Sequence, residues 1–306
     1  MSHPLIEVDV DADLARALLA EQHPDLAGLL LHGRVNGWDN ITWRLGDDLA
    51  VRFPVRAVSA PLVEREHRWL TTLASRLPVG VPVPVRTGAP SPRYPWAWTV
   101  VPWYTGDVVA ATPVAGRTPW AETFAEALAA FHEPAPADAP RNPYRGVPLA
   151  DRADVVGRRL AEAPDVPHRA ALLDAWRDGL AAPPYAGPPV WVHGDPHPGN
   201  LVSDGDRLVA LIDFGDLGHG DPASDLATAW LTFDAAGRER FVARTTALRG
   251  WDDATWRRAR AWVAGLVPVF LAHPEDYPLM TRVGHHAAEQ LALARPAPSR
   301  RIRVCM

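Results

Sequence analysis

The sequence predicts an α+β chain of two lobes, a strand-rich N-terminal lobe and a larger, mostly helical C-terminal lobe. Three observations predict it. Alternating apolar runs and turn formers crowd the first hundred residues, helical periodicity dominates after the break PWYTGD (102–107), and a compact β segment at 190–213 interrupts the helices. The hinge near 102–106 divides the chain into lobes 1–103 and 104–306.

The elements follow in order. ITWRL, GDD and LAVRF (41–53) read as a hairpin, two alternating runs around a turn. A helix at about 61–77 has Pro61 in its first turn and an apolar face of Leu62, Trp69, Leu70, Leu73 and Leu77. VPVPV and WAWTVV (81–101) are extended. TPWAETFAEALAAFH (118–132) is a helix with Thr118 as N-cap and Pro119 at its first position. A Pro-rich surface loop (134–148) leads to helices at about 150–163 and 168–182. PPVWV (188–192) is a strand, NLVSDGDRLVALID (200–213) a hairpin turning at SDGD, and helices run from 222 to near the end. Asp221-Pro222 reads as an N-cap and a first-turn proline, and RPAPSRRIRV (295–304) as a solvated, frayed end.

Bulk properties exclude several classes. With 31 basic against 36 acidic residues and a formal net charge of −5, there is no basic field for a nucleic acid. The single cysteine, Cys305, allows neither an internal disulfide nor a cysteine cluster for zinc. The N-terminus is acidic where a signal peptide is basic, and no apolar run approaches the roughly 20 residues of a membrane span. A cytoplasmic protein with no obligate protein partner is expected. All 31 basic residues are arginine, so any ammonium chemistry falls to Arg or His.

Chemistry concentrates in HGDPHPGN (193–200) and IDFGD (212–216). A hairpin over 200–213 brings its outer ends together, which places Asn200 beside Asp213, with Asp195 on the loop feeding that end. Hard oxygen ligands few in number suit Mg2+, with its remaining positions left to phosphate and water. Asp195 is then free to orient and deprotonate a hydroxyl. On these residues alone a second reading stays open, a metal hydrolase using His193, Asp195 and His197.

The stretch resembles the kinase catalytic loop, an Asp followed five residues later by Asn and then by D-F-G. In form, over roughly 30–290, it is most similar to the aminoglycoside phosphotransferase family, which includes macrolide kinases and other small-molecule kinases. The resemblance implies a bilobal protein-kinase-like fold. It makes Asp195 the catalytic base and Asn200 and Asp213 the magnesium ligands. His193 would brace the loop and Asp225 anchor it from the next helix. LAVRF (49–53) looks like the kinase V-A-I-K strand, with Ala50 against adenine and Arg52 in the lysine position. Glu66 falls on the apolar helix face, where a charge is costly unless paired, and the kinase pattern names Arg52 as its partner. Glu64 lies on the solvated side.

GRVNGWDN (33–40) stands where a phosphate-covering loop belongs but lacks G-x-G-x-x-G; Asn36 or Asn40 approaches phosphate there, or the segment is a plain turn. By family register the Pro102 carbonyl and Tyr104 N–H face the base. His197 either assists the transferred phosphate or packs the loop.

Only seven residues separate Asp213 from Asp221, too few for a peptide-docking segment, so the acceptor is small and hydroxylated. Its pocket is expected within 141–180, 216–219 and 251–290, where Asp151, Asp154, Glu275, Asp276 and Glu289 mix with Trp176, Trp251, Trp256 and Trp262. The implied activity moves the γ-phosphate of ATP or GTP to an antibiotic such as an aminoglycoside or macrolide. The alternatives are a primary-metabolite kinase acting on an amino alcohol or sugar, and a non-catalytic nucleotide-binding module.

Overall fold

The computed structural model describes residues 6–294. Helix α1 (Ala12–Gln22), capped by the Asp11 carboxylate on the Leu14 amide at 2.8 Å, precedes five antiparallel strands. These are β1 (Leu31–Asn36), β2 (Asn40–Leu45), β3 (Leu49–Pro54), β4 (Arg86–Gly88) and β5 (Trp98–Pro102), in the order β1-β2-β3-β5-β4. Helix α2 (Ala60–Ala74) joins β3 to β4. One face of the sheet buries Ile41, Val51, Phe53 and Val100 against α1, with Phe53 stacked on Trp98 at 5.1 Å. The sequence reading of this region holds for the hairpin, whose turn is Gly46–Asp48 between β2 and β3.

After a two-residue strand β6 (Asp107–Val108), the helical lobe holds α3 (Ala121–Phe131), α4 (Ala153–Glu162) and α5 (Arg169–Ala181). Strand β7 (Val190–Val192) and the hairpin β8 (Leu201–Asp204) and β9 (Arg207–Leu211) follow, then β10 (Gly218–Gly220), antiparallel to β7. The remainder is α6 (Ala223–Leu226), α7 (Thr228–Thr232), α8 (Ala235–Arg249), α9 (Asp253–Phe270) and α10 (Pro278–Leu293). This is the bilobal, kinase-like arrangement that the sequence predicts.

Three local expectations change. The helix expected over 118–132 begins at Ala121, because Val114–Trp120 winds as a 3-10 turn with Pro119 inside it. There Thr118 turns its hydroxyl to Asp234 at 3.3 Å instead of capping, and buried Arg117 donates to the carbonyls of Val109, Thr112 and Thr232. Helix α2 stops at Ala74, short of Leu77, and its buried stripe runs through Val63, Glu66, Leu70 and Leu73, with Leu62 only half-buried. The sequence division at 103 is also not the division of the cores: Leu70, Leu73, Val79 and Val81 pack into the helical lobe's core. The chain at Gly80 adds to β9, donating to the Val209 carbonyl at 2.8 Å and accepting from Leu211 at 3.0 Å. The tail 295–304 and Cys305 lie outside the described residues. Among the described residues no helix is long and apolar enough to cross a membrane.

Asp221 accepts from the Ala223 amide at 3.0 Å, as a helix-start carboxylate does, and it also grips Arg258 of α9 at 2.7 Å. Both side chains are about 5% exposed. Asp221→Ala strands a buried guanidinium and is expected to lower unfolding free energy by about 3–5 kcal/mol. Urea denaturation of wild type and variant measures this.

Candidate active site

The 193–200 loop leaves β7 and reaches a 3-10 turn, Pro198–Asn200, that feeds β8. Beneath it lies Asp225 of α6, fully buried. Its two oxygens accept from the His193 amide at 2.8 Å and the Gly194 amide at 2.9 Å, and His132, at the C-cap of α3, reaches one of them at 3.1 Å. Gly194 has φ of 91°, and a Cβ there would stand 2.4 Å from the Asp216 carbonyl oxygen, so only glycine fits. The His193 ring is spent on the loop: one nitrogen meets the Ile212 carbonyl at 3.1 Å and the other accepts from the Asp195 amide at 3.2 Å. With both nitrogens engaged by backbone, His193 does not turn toward a metal shared with Asp195 and His197. Among the described residues no group of three His, Cys, Asp or Glu side chains is placed to hold a metal ion.

The hairpin ends meet as its register requires. Leu201 pairs with Leu211, and the Ile212 amide donates to the Asn200 carbonyl at 2.9 Å, which sets Asn200 and Asp213 at one open end. The Asn200 side-chain nitrogen donates to the Asp195 carbonyl at 2.9 Å. Its amide oxygen is therefore the atom left for a ligand. Asp213 has φ of 62°, an uncommon conformation for a non-glycine residue, and its carboxylate is 53% exposed to the cleft.

The Asp195 carboxylate stands between an imidazole and a guanidinium. His197 Nε2 lies 3.3 Å from one oxygen, and Arg145 Nη2 3.3 Å from the other. Because His197 Nδ1 accepts from the Gly199 amide at 3.0 Å, the ring proton is on Nε2, facing Asp195. Burial alone would raise the Asp195 pKa, but His197 and Arg145 hold it well below the carboxylate range. Burial likewise opposes the His197 charge, yet Asp195 raises that imidazole above its ordinary value. Phe270 of α9 meets the ring edge-on at 5.6 Å.

From the N-terminal lobe, Arg52 donates to Glu66 at 2.9 Å and sits 3.6 Å from Asp213. Burial works against the Arg52 charge, but Glu66 and Asp213 outweigh it and raise the guanidinium pKa further. Ala50 is buried on the same strand, opposite Val101 of β5. Glu64 is exposed. The 33–40 stretch is mostly strand: Asn36 ends β1, Asn40 opens β2, and the turn between them closes with the Gly37 amide on the Asn40 carbonyl at 2.9 Å. Pro102 ends β5 opposite Leu49. The Tyr104 hydroxyl donates to the Val81 carbonyl at 2.7 Å, and its ring lies against Gly80. Of the tryptophans in the acceptor segments, Trp176 and Trp262 belong to the core and Trp251 and Trp256 pack against it, while the five acids there are exposed.

Sequence reasoning missed four residues that shape this site. Asn142 holds Asp216 through its carbonyl at 2.8 Å and its carboxylate at 2.9 Å, and accepts from the Tyr144 and Arg145 amides. That turn delivers Arg145, whose Nε also donates to the Gly194 carbonyl at 2.7 Å. Burial raises the Asp216 pKa. His132 is the fourth, under Asp225. The turn formers in RNPYRG (141–146) marked a turn, but nothing in their spacing linked it to 193–200.

The two lobes meet where Asp195, Asn200 and Asp213 lie on one side and Arg52 and Glu66 on the other. The family model of the phosphotransferase enzyme family, APH, matches residues 31–262, and the chain belongs to that family. Solved structures share the fold. An aminoglycoside 2'-phosphotransferase-IIIa in its GDP complex superposes with TM-score 0.68 at 18% identity, covering 93% of this chain and 99% of that one. The GDP and kanamycin complex of APH(2")-IIIa gives 0.64 at 17%, covering 92% and 99%. The macrolide 2'-phosphotransferase MphH from Brachybacterium faecium gives 0.60 at 21%, covering 94% and 99%. No curated protein matches the chain in sequence.

Two predictions follow from the geometry. Glu66→Ala leaves buried Arg52 with only its longer contact to Asp213, and a loss of about 3 kcal/mol in chemical denaturation is expected. The His197–Asp195 contact should contribute about 1.5–3 kcal/mol, as hydrogen bonds between charged groups do. A raised imidazole pKa means that this stability is complete below about 6.5 and fades as pH rises through the folded value; the depressed carboxyl sets loss on the acid side, below about 4. The stability gap between wild type and His197→Gln should therefore be widest near pH 5 and shrink by pH 9.

Proposed function

We propose that this phosphotransferase moves the γ-phosphate of ATP or GTP to a hydroxyl of a small molecule. The observation that carries the reading is the convergence of Asp195, Asn200 and Asp213 beneath the Arg52–Glu66 pair. In this reading Arg52 grips the nucleotide phosphates, Glu66 fixes the Arg52 fork, and Ala50 leaves room for the base. The Pro102 carbonyl and Tyr104 N–H take the edge of the base, and Asn36 or Asn40 lies over the phosphates. The GDP complexes among the structural neighbours support a nucleotide donor.

Mg2+ fits the residues present, because an exposed carboxylate at Asp213 and an amide oxygen at Asn200, its nitrogen already committed, form a hard oxygen donor set. Bound there, it would neutralise phosphate charge. Asp195 orients the acceptor hydroxyl and accepts its proton, while His197 keeps its Nε2–H on Asp195, beside the transferred phosphoryl. His193 and Asp225 hold the loop that carries them.

A small acceptor is supported by the fate of the chain after Asp213. Residues 218–220 are tied into β10, and Asp221 is locked to Arg258, so no peptide-docking segment intervenes. The neighbours named for aminoglycosides and macrolides make antibiotics of those classes one acceptor set, with sugars and amino alcohols the other. A nucleotide requirement also favours the cytoplasm.

The test is labelled ATP and GTP with aminoglycosides, macrolides, sugars and amino alcohols. Asp195→Asn should cut transfer by roughly 100- to 10,000-fold, the range for loss of general base catalysis, with nucleotide affinity kept. Transfer by Asp195→Asn at the wild-type rate would overturn the mechanism, and labelled phosphate on no acceptor would favour the non-catalytic reading.

A further inference from the structure

Three arginines of the helical lobe, Arg145, Arg152 and Arg159, lie within electrostatic reach of one another. Arg145 touches the Asp195 carboxylate itself. Arg152 ends the 3-10 turn Leu149–Arg152 at the N-cap of α4, and Arg159 follows seven residues on, in its last turn; both are half-buried, with the Arg152 guanidinium 5.5 Å from the centre of the Tyr144 ring. Among the described residues neither Arg152 nor Arg159 makes an ion pair with a carboxylate.

Arg159 lines a cleft of about 530 Å³ between the ends of α4, α9 and α10, with Leu271, Thr281 and His285 on its other walls. The residues next to those walls meet the 193–200 loop. Phe270 packs on His197, and the Met280 methyl is 2.8 Å from where a Cβ on Gly199 would stand. Burial first, and then the neighbouring charges of Arg152 and Arg145, lower the Arg159 pKa. The acids on the same cleft, Glu162 and Asp165, are exposed, where water and salt screen them. Asp216, the remaining acid beside Arg145, is held by Asn142.

Cationic groups drawn together in half-buried positions, without carboxylates of their own, repel one another until an anion arrives, and the guanidinium fork matches carboxylate and phosphate oxygens. We propose that the acceptor carries an anionic group, a carboxylate or a phosphate, received by Arg152 and Arg159 so that its hydroxyl lies at Asp195. This deepens the kinase reading and rests on it, and it moves the acceptor away from polycationic aminoglycosides.

A matched hexose set tests the charge: glucose, glucosamine, glucuronate and glucose 6-phosphate. Binding is measured to the full-length wild-type protein without nucleotide, so the readout does not depend on phosphate transfer. Tighter binding of glucuronate or glucose 6-phosphate than of glucose and glucosamine, by tenfold or more, is expected. The variant R152Q/R159Q should reduce that advantage to less than threefold, and which anion leads tells carboxylate from phosphate. Equal affinity across the set, preference for glucosamine, binding of none, or an anion preference that survives in R152Q/R159Q would overturn the proposal. Phosphate transfer assayed alongside separates the two readings. Anion-selective binding without transfer to any acceptor defeats the kinase reading alone, and transfer to glucosamine with no anion preference defeats the acceptor assignment alone.

Discussion

The site hangs on one buried carboxylate. Asp225 sits beneath the 193–200 loop and accepts two consecutive backbone amides, His193 and Gly194, while His132 fixes its orientation from the C-cap of α3. A buried carboxylate is tolerable only when its oxygens are hydrogen-bonded, and both of these are. The two amides in turn fix the peptide plane that aims Asp195. His193 then clamps the loop to the start of the 212–216 segment through the Ile212 carbonyl, so Asp195 and Asp213 are held by the same scaffold. A lost contact at Asp225 would loosen both ends at once.

A second constraint ties the lobes. Helix α2 carries Glu66 toward Arg52 of the sheet, yet its Leu70 and Leu73 belong to the helical lobe's core, and the chain just beyond it joins β9 at Gly80. Glu66 is thereby positioned by the lobe that also carries Asp213, and Arg52 bridges to both carboxylates. Burial, and after it the Asp213 charge, raise the Glu66 pKa against the pull of Arg52, while Glu66 and Asp213 together raise that of the guanidinium. A cleft arranged this way couples phosphate-binding geometry to the docking of one helix.

The sequence displayed the parts whose chemistry is local. That Asn200 meets the Ile212–Asp213 end of the hairpin is legible because register follows from two short strands and a turn. Glu66 was legible because a charge on an apolar stripe demands a partner. The start of α3 was not, since the side-chain bond from Thr118 goes to Asp234, more than a hundred residues away, and a cap reading assumes a local one. Arg145 and Asn142 escaped for the same reason: a turn can be read from N-P-Y-R-G, but its docking onto Gly194 and Asp216 is long-range. Of the tryptophans expected to line an acceptor pocket, Trp176 and Trp262 went into the core and Trp251 and Trp256 against it, because large apolar rings are drawn there first, and the cleft is left with Arg159.

The electrostatics at Asp195 bear on how the proposed reaction would run. A carboxylate flanked by His197 and Arg145 is a weak base, its proton affinity lowered by both. In phosphoryl transfer through a loose transition state, little proton transfer is needed before the phosphoryl group has left its donor, and most of the barrier is met by positioning and charge neutralisation. A weak base suits that sequence, since it stays ionised to orient a hydroxyl and accepts the proton only as the bond forms. The same two donors that weaken Asp195 as a base, the His197 N–H and the Arg145 guanidinium, would then lie where negative charge travels. Arg145 would therefore act on both partners of the transfer, holding the Gly194 carbonyl and Asp195 in place while presenting its remaining charge to the acceptor side.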